Sequence, residues 1–242
     1  MPFVFAHISD THLDGAPRAA ARTAAVMDYL RGQPLDAVLV TGDIADHGAQ
    51  GEYAEAAALL TADVPVLVLP GNHDERAAFG KGLLGRDGAA APVNQVHVVG
   101  GVTFALCDST IPGRDDGLLT DDTLAWLDAV LAAATGPAFV ALHHPPTPMY
   151  NTILDTLLLT EPADLERVLR RHPNVVAVLC GHAHTAAAST FAGLPLLVAP
   201  GVVSTLMLPW EDRGHLSLDD PPGIAFHVLE GTHLTTHYRV LP

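Results

Sequence analysis

The sequence predicts an α/β protein, and two observations carry that expectation. Short apolar, β-branched runs recur between alanine-rich stretches whose apolar residues repeat at helical spacing. Five of these runs also end the same way. Residues 3–9 lead into Asp10 and His12, and residues 38–42 into Asp43 and Asp46. Residues 66–71 lead into Asn72 and His73, residues 138–142 into His143, and residues 175–181 into His182 and His184. Open α/β folds place ligands at the carboxyl ends of their strands. Folding alone does not require five strands to deliver Asp, Asn and His to one edge.

The elements follow in order. The first strand ends at Asp10, and a loop with Gly15 and Pro17 leads to an expected helix over 18–30, closed by Gly32 and Pro34. The Asp43 strand precedes a helix over 50–60, and the Asn72 strand precedes a helix or loose turn reaching Lys81. Gly85, Arg86, Asp87 and Gly88 spell a turn. Strands 95–99 and 102–107 flank Gly100-Gly101, a hairpin signal. Thr120 is placed as an N-cap, with Asp121 and Asp122 in the first turn and Leu124, Leu127, Val130 and Leu131 on one face. After His143, the proline-rich 145–150 and apolar 153–159 predict a loop over the polar edge, read as a lid or substrate loop at 145–160. A helix over 162–171 leads to the His182 strand. Short β runs in 187–200 and 223–240 suggest a second sheet, separated by a mobile loop at 206–222. No repeat or linker divides the chain, so residues 1–242 are read as one domain.

Bulk properties exclude several classes. With 242 residues and 49% hydrophobic content, the chain can bury a large core. Its 27 acidic residues outnumber 12 Lys and Arg, a net charge of -15 that disfavours nucleic-acid polymers and anionic membranes as partners. Cys107 and Cys180 each end an apolar run and read as reduced core residues. No basic segment followed by an apolar one opens the chain, and no apolar run has the roughly 18 residues of a membrane span. The expected location is cytoplasmic.

Oxygen and imidazole donors without thiolates suit manganese, iron, cobalt, nickel or zinc rather than a structural zinc site. The Asp-x-His and His-x-His spacings put both members of a pair on one side of an extended segment. The set Asp10, His12, Asp43, Asn72, His143, His182 and His184 exceeds the needs of one four-coordinate ion. Two ions sharing a carboxylate use it naturally, and such pairs serve reactions with both an attacking and a leaving oxygen.

Asp10-x-His12, Gly42-Asp43-x-x-Asp46, Gly71-Asn72-His73-Asp74, His143 and Gly181-His182-x-His184, in this order, resemble the calcineurin-like metallophosphoesterases. The likeness is strongest to the branch of class III cyclic-nucleotide phosphodiesterases and related glycerophosphodiesterases. It implies the calcineurin-like phosphoesterase fold, a four-layer αββα sandwich of two mixed β-sheets flanked by helices. It implies two divalent metals, manganese, iron or zinc. Asp10, His12, Asp43 and His184 would hold one, and Asp43, Asn72, His143 and His182 the other, with Asp43 bridging. In-line attack on phosphorus by a bridging hydroxide is implied, with His73 near the leaving oxygen and Asp46 orienting it. Relatives form dimers and larger assemblies, so the resemblance leaves a homo-oligomer open.

Protein phosphatases of this superfamily carry arginines where this chain has His47 and Pro70. Without that grip on a dianion, a small phosphodiester monoanion is the expected substrate. A 3′,5′-cyclic nucleotide such as cAMP is the leading candidate, with a glycerophosphodiester or a broader range of phosphoesters as the alternative. His144, Met149 and Tyr150 are candidate substrate contacts, joined by Ile153, Leu157, Met207 and Trp210 as an apolar slot. A metal-free scaffold of the same fold would show lost ligands, and every position is filled. No Gly-x-Ser-x-Gly or His-x-His-x-Asp-His run points to another hydrolase class.

Overall fold

The computed structural model describes residues 1–86 and 91–241. The elements are β1 (Phe3–Ile8), α1 (Pro17–Arg31), β2 (Ala37–Thr41), α2 (Gln50–Leu59), β3 (Val66–Leu69), α3 (Arg76–Leu83), β4 (Gln95–Val99) and β5 (Val102–Leu106). There follow α4 (Asp121–Ala133), β6 (Ala138–Ala141), α5 (Pro162–Leu169), β7 (Val175–Cys180), β8 (Ala187–Phe191) and β9 (Leu194–Val198). The chain closes with β10 (Thr205–Leu206), β11 (Leu216–Ser217), β12 (Gly223–Glu230) and β13 (His233–Val240). Of the turn expected at 85–88, residues 87 and 88 lie outside the described residues.

Two sheets organise the molecule, in the orders β13-β12-β1-β2-β3 and β4-β5-β6-β7-β9-β8. β1, β2 and β3 run parallel, as do β5, β6, β7 and β9. Strand periodicity then sorts side chains into layers. Phe5, Leu39, Leu69, Phe104, Phe139 and Leu179 meet between the sheets. Ala6, Val38 and Val40 face the helices of the first sheet, packing with Met27, Tyr53 and Phe79. Val140 and Val178 face Leu127 of α4 and Leu165 of α5. The result is the expected helix–sheet–sheet–helix stack, with inner strands buried on both faces and hence nearly free of polar residues. Thr120 caps α4 as read, its Oγ1 accepting from the Thr123 amide at 3.2 Å.

The last third differs from the expectation. The strands of 187–200 and 223–240 do not share one sheet. β8 and β9 extend the sheet of β7, whereas β12 and β13 extend that of β1. Turn signals mark where strands end but not which open edge they join. The stretch 206–222, expected as a loop, contains β11, which pairs antiparallel with β10. Arg22 of α1 ties it down, donating to the carbonyls of Val202 at 2.7 Å and Asp220 at 2.5 Å.

Two histidines lie fully buried in the first sheet. His7 Nε2 meets Thr41 Oγ1 at 2.9 Å, His7 Nδ1 meets His227 Nε2 at 3.2 Å, and His227 Nδ1 meets Thr236 Oγ1 at 2.8 Å. Burial pushes the His227 pKa down to about 3 from its ordinary 6.5, and burial together with His227 holds His7 well below the same value. The unfolded chain therefore takes up protons below pH 6.5 that the folded chain refuses, and stability falls as pH drops through that value. Such a histidine costs about 2 kcal/mol between pH 7 and pH 5. His227→Asn is expected to lose that much less stability over this interval than the parent chain, read from urea midpoints. Equal losses would rule the histidine out as the acid-sensitive group.

Candidate metal centre

All seven residues read as ligands converge at the carboxyl ends of strands from both sheets. β1, β2 and β3 supply Asp10, His12, Asp43 and Asn72, and β6 and β7 supply His143, His182 and His184. The backbone there is unusual. Asp10, His12, Asp43, His182 and His184 all have positive φ, between 38° and 67°. Aspartate and histidine tolerate this region better than most residues, but a cluster of five is held in place by its surroundings. Close approach explains two flanking glycines. A Cβ on Gly71 would overlap Asp43 Oδ1 and the Asp43 amide, and one on Gly181 would overlap Ser9 Oγ.

The donor atoms form two sets that share one carboxylate. Ligand atoms of Asp10, His12, Asp43 and His184 all lie within 4.8 Å of one another. His12 Nε2 is 3.2 Å from His184 Nε2, and His184 Nε2 is 3.4 Å from Asp10 Oδ1. In the other set, His143 Nε2 is 3.1 Å from Asn72 Oδ1 and 3.2 Å from His182 Nδ1. Asp43 Oδ2 stands between the sets, 3.5 Å from His12 Nε2 and 3.4 Å from His143 Nε2. Asp10 Oδ1 is buried without a hydrogen-bond partner, an arrangement that is costly unless a cation completes it. The donor set thus fits two divalent ions.

Three of the four imidazoles are aimed by their other nitrogen. His12 Nδ1 donates to Asp46 Oδ1 at 2.9 Å, and His143 Nδ1 donates to the Thr41 carbonyl at 2.7 Å. His184 Nδ1 meets Ser204 Oγ at 2.7 Å. Such outer contacts fix tautomer and ring direction in metal sites. Burial alone would raise the Asp43 carboxyl, but His143 and His12 outweigh it and hold it well below the carboxylate range. Burial would also lower His12 and His143, yet the surrounding carboxylates raise each to about 9. His182 faces no such excess of anions; burial and His143 push it to about 3.

His73 and Asp46 also lie at the cavity floor. His73 Nδ1 donates to the Asp46 carbonyl at 2.8 Å, its amide donates to Asp43 Oδ1 at 2.9 Å, and its ring packs edge-on against His12 at 4.6 Å. Above them opens a cavity of about 680 Å³. The three candidate substrate contacts do not line it. His144 is fully buried, with Nδ1 at 2.8 Å from Ser109 Oγ. Met149 packs on the core of the second sheet, and Tyr150 projects outward with 77% of its surface exposed. Of the wider slot, Ile153 and Leu157 line the cavity, whereas Met207 is buried and Trp210 lies outside it.

Several contributors have no spacing signal. Ser204 and the Thr41 carbonyl act through chain reversals that no local pattern reveals. Asp74 was visible only as the end of the Gly-Asn-His-Asp run. It is buried and accepts from the amides of Ile44, Ala45 and Gly71 and from the Tyr53 hydroxyl, bracing the Asp43 loop.

The calcineurin-like phosphoesterase family model matches residues 3–186. The chain belongs to that family. A probable cyclic nucleotide phosphodiesterase of Rhodococcus erythropolis is 35% identical, over 93% of this chain and 80% of the relative. A cAMP/cGMP dual specificity phosphodiesterase of Mycobacterium tuberculosis is 34% identical, over 91% and 74%. A glycerophosphodiester phosphodiesterase of Enterobacter lignolyticus is 33% identical, over 98% and 91%. Among solved structures, a dimetal phosphatase from Danio rerio shares the fold with a TM-score of 0.68 at 18% identity, covering 98% of this chain and 99% of the other. Among the described residues, no helix of this phosphoesterase is long and apolar enough to cross a membrane.

Proposed function

We propose that this chain is a metal-dependent phosphodiesterase acting on small phosphodiesters, 3′,5′-cyclic nucleotides first among them. The observation that carries the reading is Asp43 Oδ2, in reach of His12 and His143 at once. Asp10, His12, Asp43 and His184 would hold one ion, and Asp43, Asn72, His143 and His182 the other. Bound there, two divalent ions supply positive charge against a phosphate and lower the pKa of water at the site. Their donors suit manganese, iron, cobalt, nickel or zinc, and the family resemblance favours manganese, iron or zinc among these.

The chain's own groups supply orientation and a proton. With Nδ1 engaged by the Asp46 carbonyl, His73 presents Nε2 to the cavity, placed to donate to the departing oxygen. Asp46 positions His73 through its carbonyl and His12 through its carboxylate. The charge of the substrate follows from what is missing. Arg18 is the one arginine lining the cavity among the described residues, and it donates to the carbonyls of Val203 and Leu218. A dianionic monoester would find no guanidinium fork at the floor. The relatives' named activities favour cyclic nucleotides, with glycerophosphodiesters as the second reading.

Metal-stripped protein reloaded with Mn²⁺ should hydrolyse 3′,5′-cAMP or glycerophosphocholine, and bis-p-nitrophenyl phosphate faster than p-nitrophenyl phosphate. Faster monoester turnover would overturn the diester assignment. His73→Asn should lower kcat for cAMP by roughly 10²-fold or more at unchanged metal content. The loss should be smaller for a p-nitrophenyl ester, whose departing oxygen needs little protonation. Equal losses on both would remove His73 from that role.

A further inference from the structure

The cavity above the metal centre has two characters. Its floor is charged and polar, but its walls are aliphatic. Ile153, Leu154 and Leu157 come from the stretch after β6, and Leu206, Leu216 and Leu218 face them from the β10–β11 segment. No Phe, Tyr or Trp lines it among the described residues, and its four imidazoles sit at the polar floor. Both walls also leave apolar surface in water. Ile153, Leu216 and Leu218 are 47%, 49% and 52% exposed, and Tyr150 and Trp210 lie on the same two segments. Ile153, Leu216 and Leu218 are three of the ten large apolar side chains exposed among the described residues, and all three line this cavity. Such a concentration marks a binding surface more often than chance. Because walls and floor belong to one cavity, a single molecule can span both.

Resting on the phosphodiesterase reading above, we infer that this site also accepts phosphodiesters in which one ester arm is an aliphatic chain, held between the two leucine-rich walls. Between these walls a flexible chain gains from branched aliphatic contacts along its length. In the reaction, the oxygen of a water molecule bonds to phosphorus and the P–O bond to the other alcohol breaks. One proton of the water goes to the departing oxygen, the other is released, and the aliphatic arm is retained on the phosphate. The far wall is positioned by α1, since the Arg18 guanidinium donates to the carbonyls of Val203 and Leu218. Arg18 thereby sets the width of the slot without touching the reacting atoms.

The test compares methyl and hexyl p-nitrophenyl phosphate on Mn²⁺-loaded full-length protein, following p-nitrophenolate. Each buried methylene contributes about 0.8 kcal/mol, nearly fourfold, so a hexyl arm even partly enclosed should raise kcat/KM roughly tenfold or more, chiefly through KM. Leu216→Ser and Leu218→Ser, at half-exposed positions that tolerate polarity, should each cut the hexyl-to-methyl ratio at least threefold. A parent ratio below threefold, or a ratio indifferent to both substitutions, overturns the proposal while leaving the phosphodiesterase reading intact. Hydrolysis of neither ester would instead sink that underlying reading.

Discussion

Asp43→Ala is expected to lower phosphodiester turnover by at least ~10³-fold and to leave a protein that retains fewer than two metal ions per chain. Its Oδ2 reaches both donor sets, lying 3.5 Å from His12 Nε2 and 3.4 Å from His143 Nε2. Without that anion the two imidazoles, each raised to about 9 by carboxylates around them, lose the charge that balances them. Asp43 Oδ1 also accepts from the His73 amide, so the variant frees the loop bearing His73. Asp43→Asn keeps the shape and the preference for positive φ and separates lost charge from lost geometry. Metal content measured beside turnover decides the matter: two retained ions with normal activity in Asp43→Ala would overturn the bridging assignment.

Phe5→Ala should cost about 3–5 kcal/mol of folding stability. Phe5 is fully buried and meets Phe104 at 5.1 Å and Phe139 at 5.0 Å, both edge-to-face, and His227 at 4.7 Å. These partners belong to β5 and β6 of the second sheet and β12 of the first, so the void would open where the two sheets press together. For a chain of this size the loss corresponds to a melting temperature lower by roughly 6–20 °C. The same substitution should weaken metal retention, since ligands arrive from both sides of that seam. A midpoint within 2 °C of the parent, at a scale of about 2–4 °C per kcal/mol, would show that the sheets do not depend on this contact.

The strand ends were legible because their chemistry is local. A β-branched run, a glycine and an acidic or imidazole side chain are consecutive in sequence, so His182 and His184 announced themselves within one segment. What was not legible depends on partners far apart. Ser204 reaches His184 across 20 residues, and His143 donates to Thr41 across 102. His144 shows the limit from the other side. It neighbours a ligand in sequence and its ring lies 4.8 Å from that of His182, yet it is fully buried, meets Ser109 Oγ through Nδ1 and does not line the cavity. Leu216 and Leu218 sit in a stretch whose polarity hid their place on the cavity wall.

The left-handed turns at Asp10, His12, Asp43, His182 and His184 set catalysis against endurance. At each of them glycine would relax the backbone, the gain being of order 1 kcal/mol where a β-carbon is strained. The easiest way for this chain to become sturdier is thus to discard the groups it works with. A library selected for heat resistance alone should drift toward inert, well-folded descendants, and only a screen for turnover would keep these five positions in place.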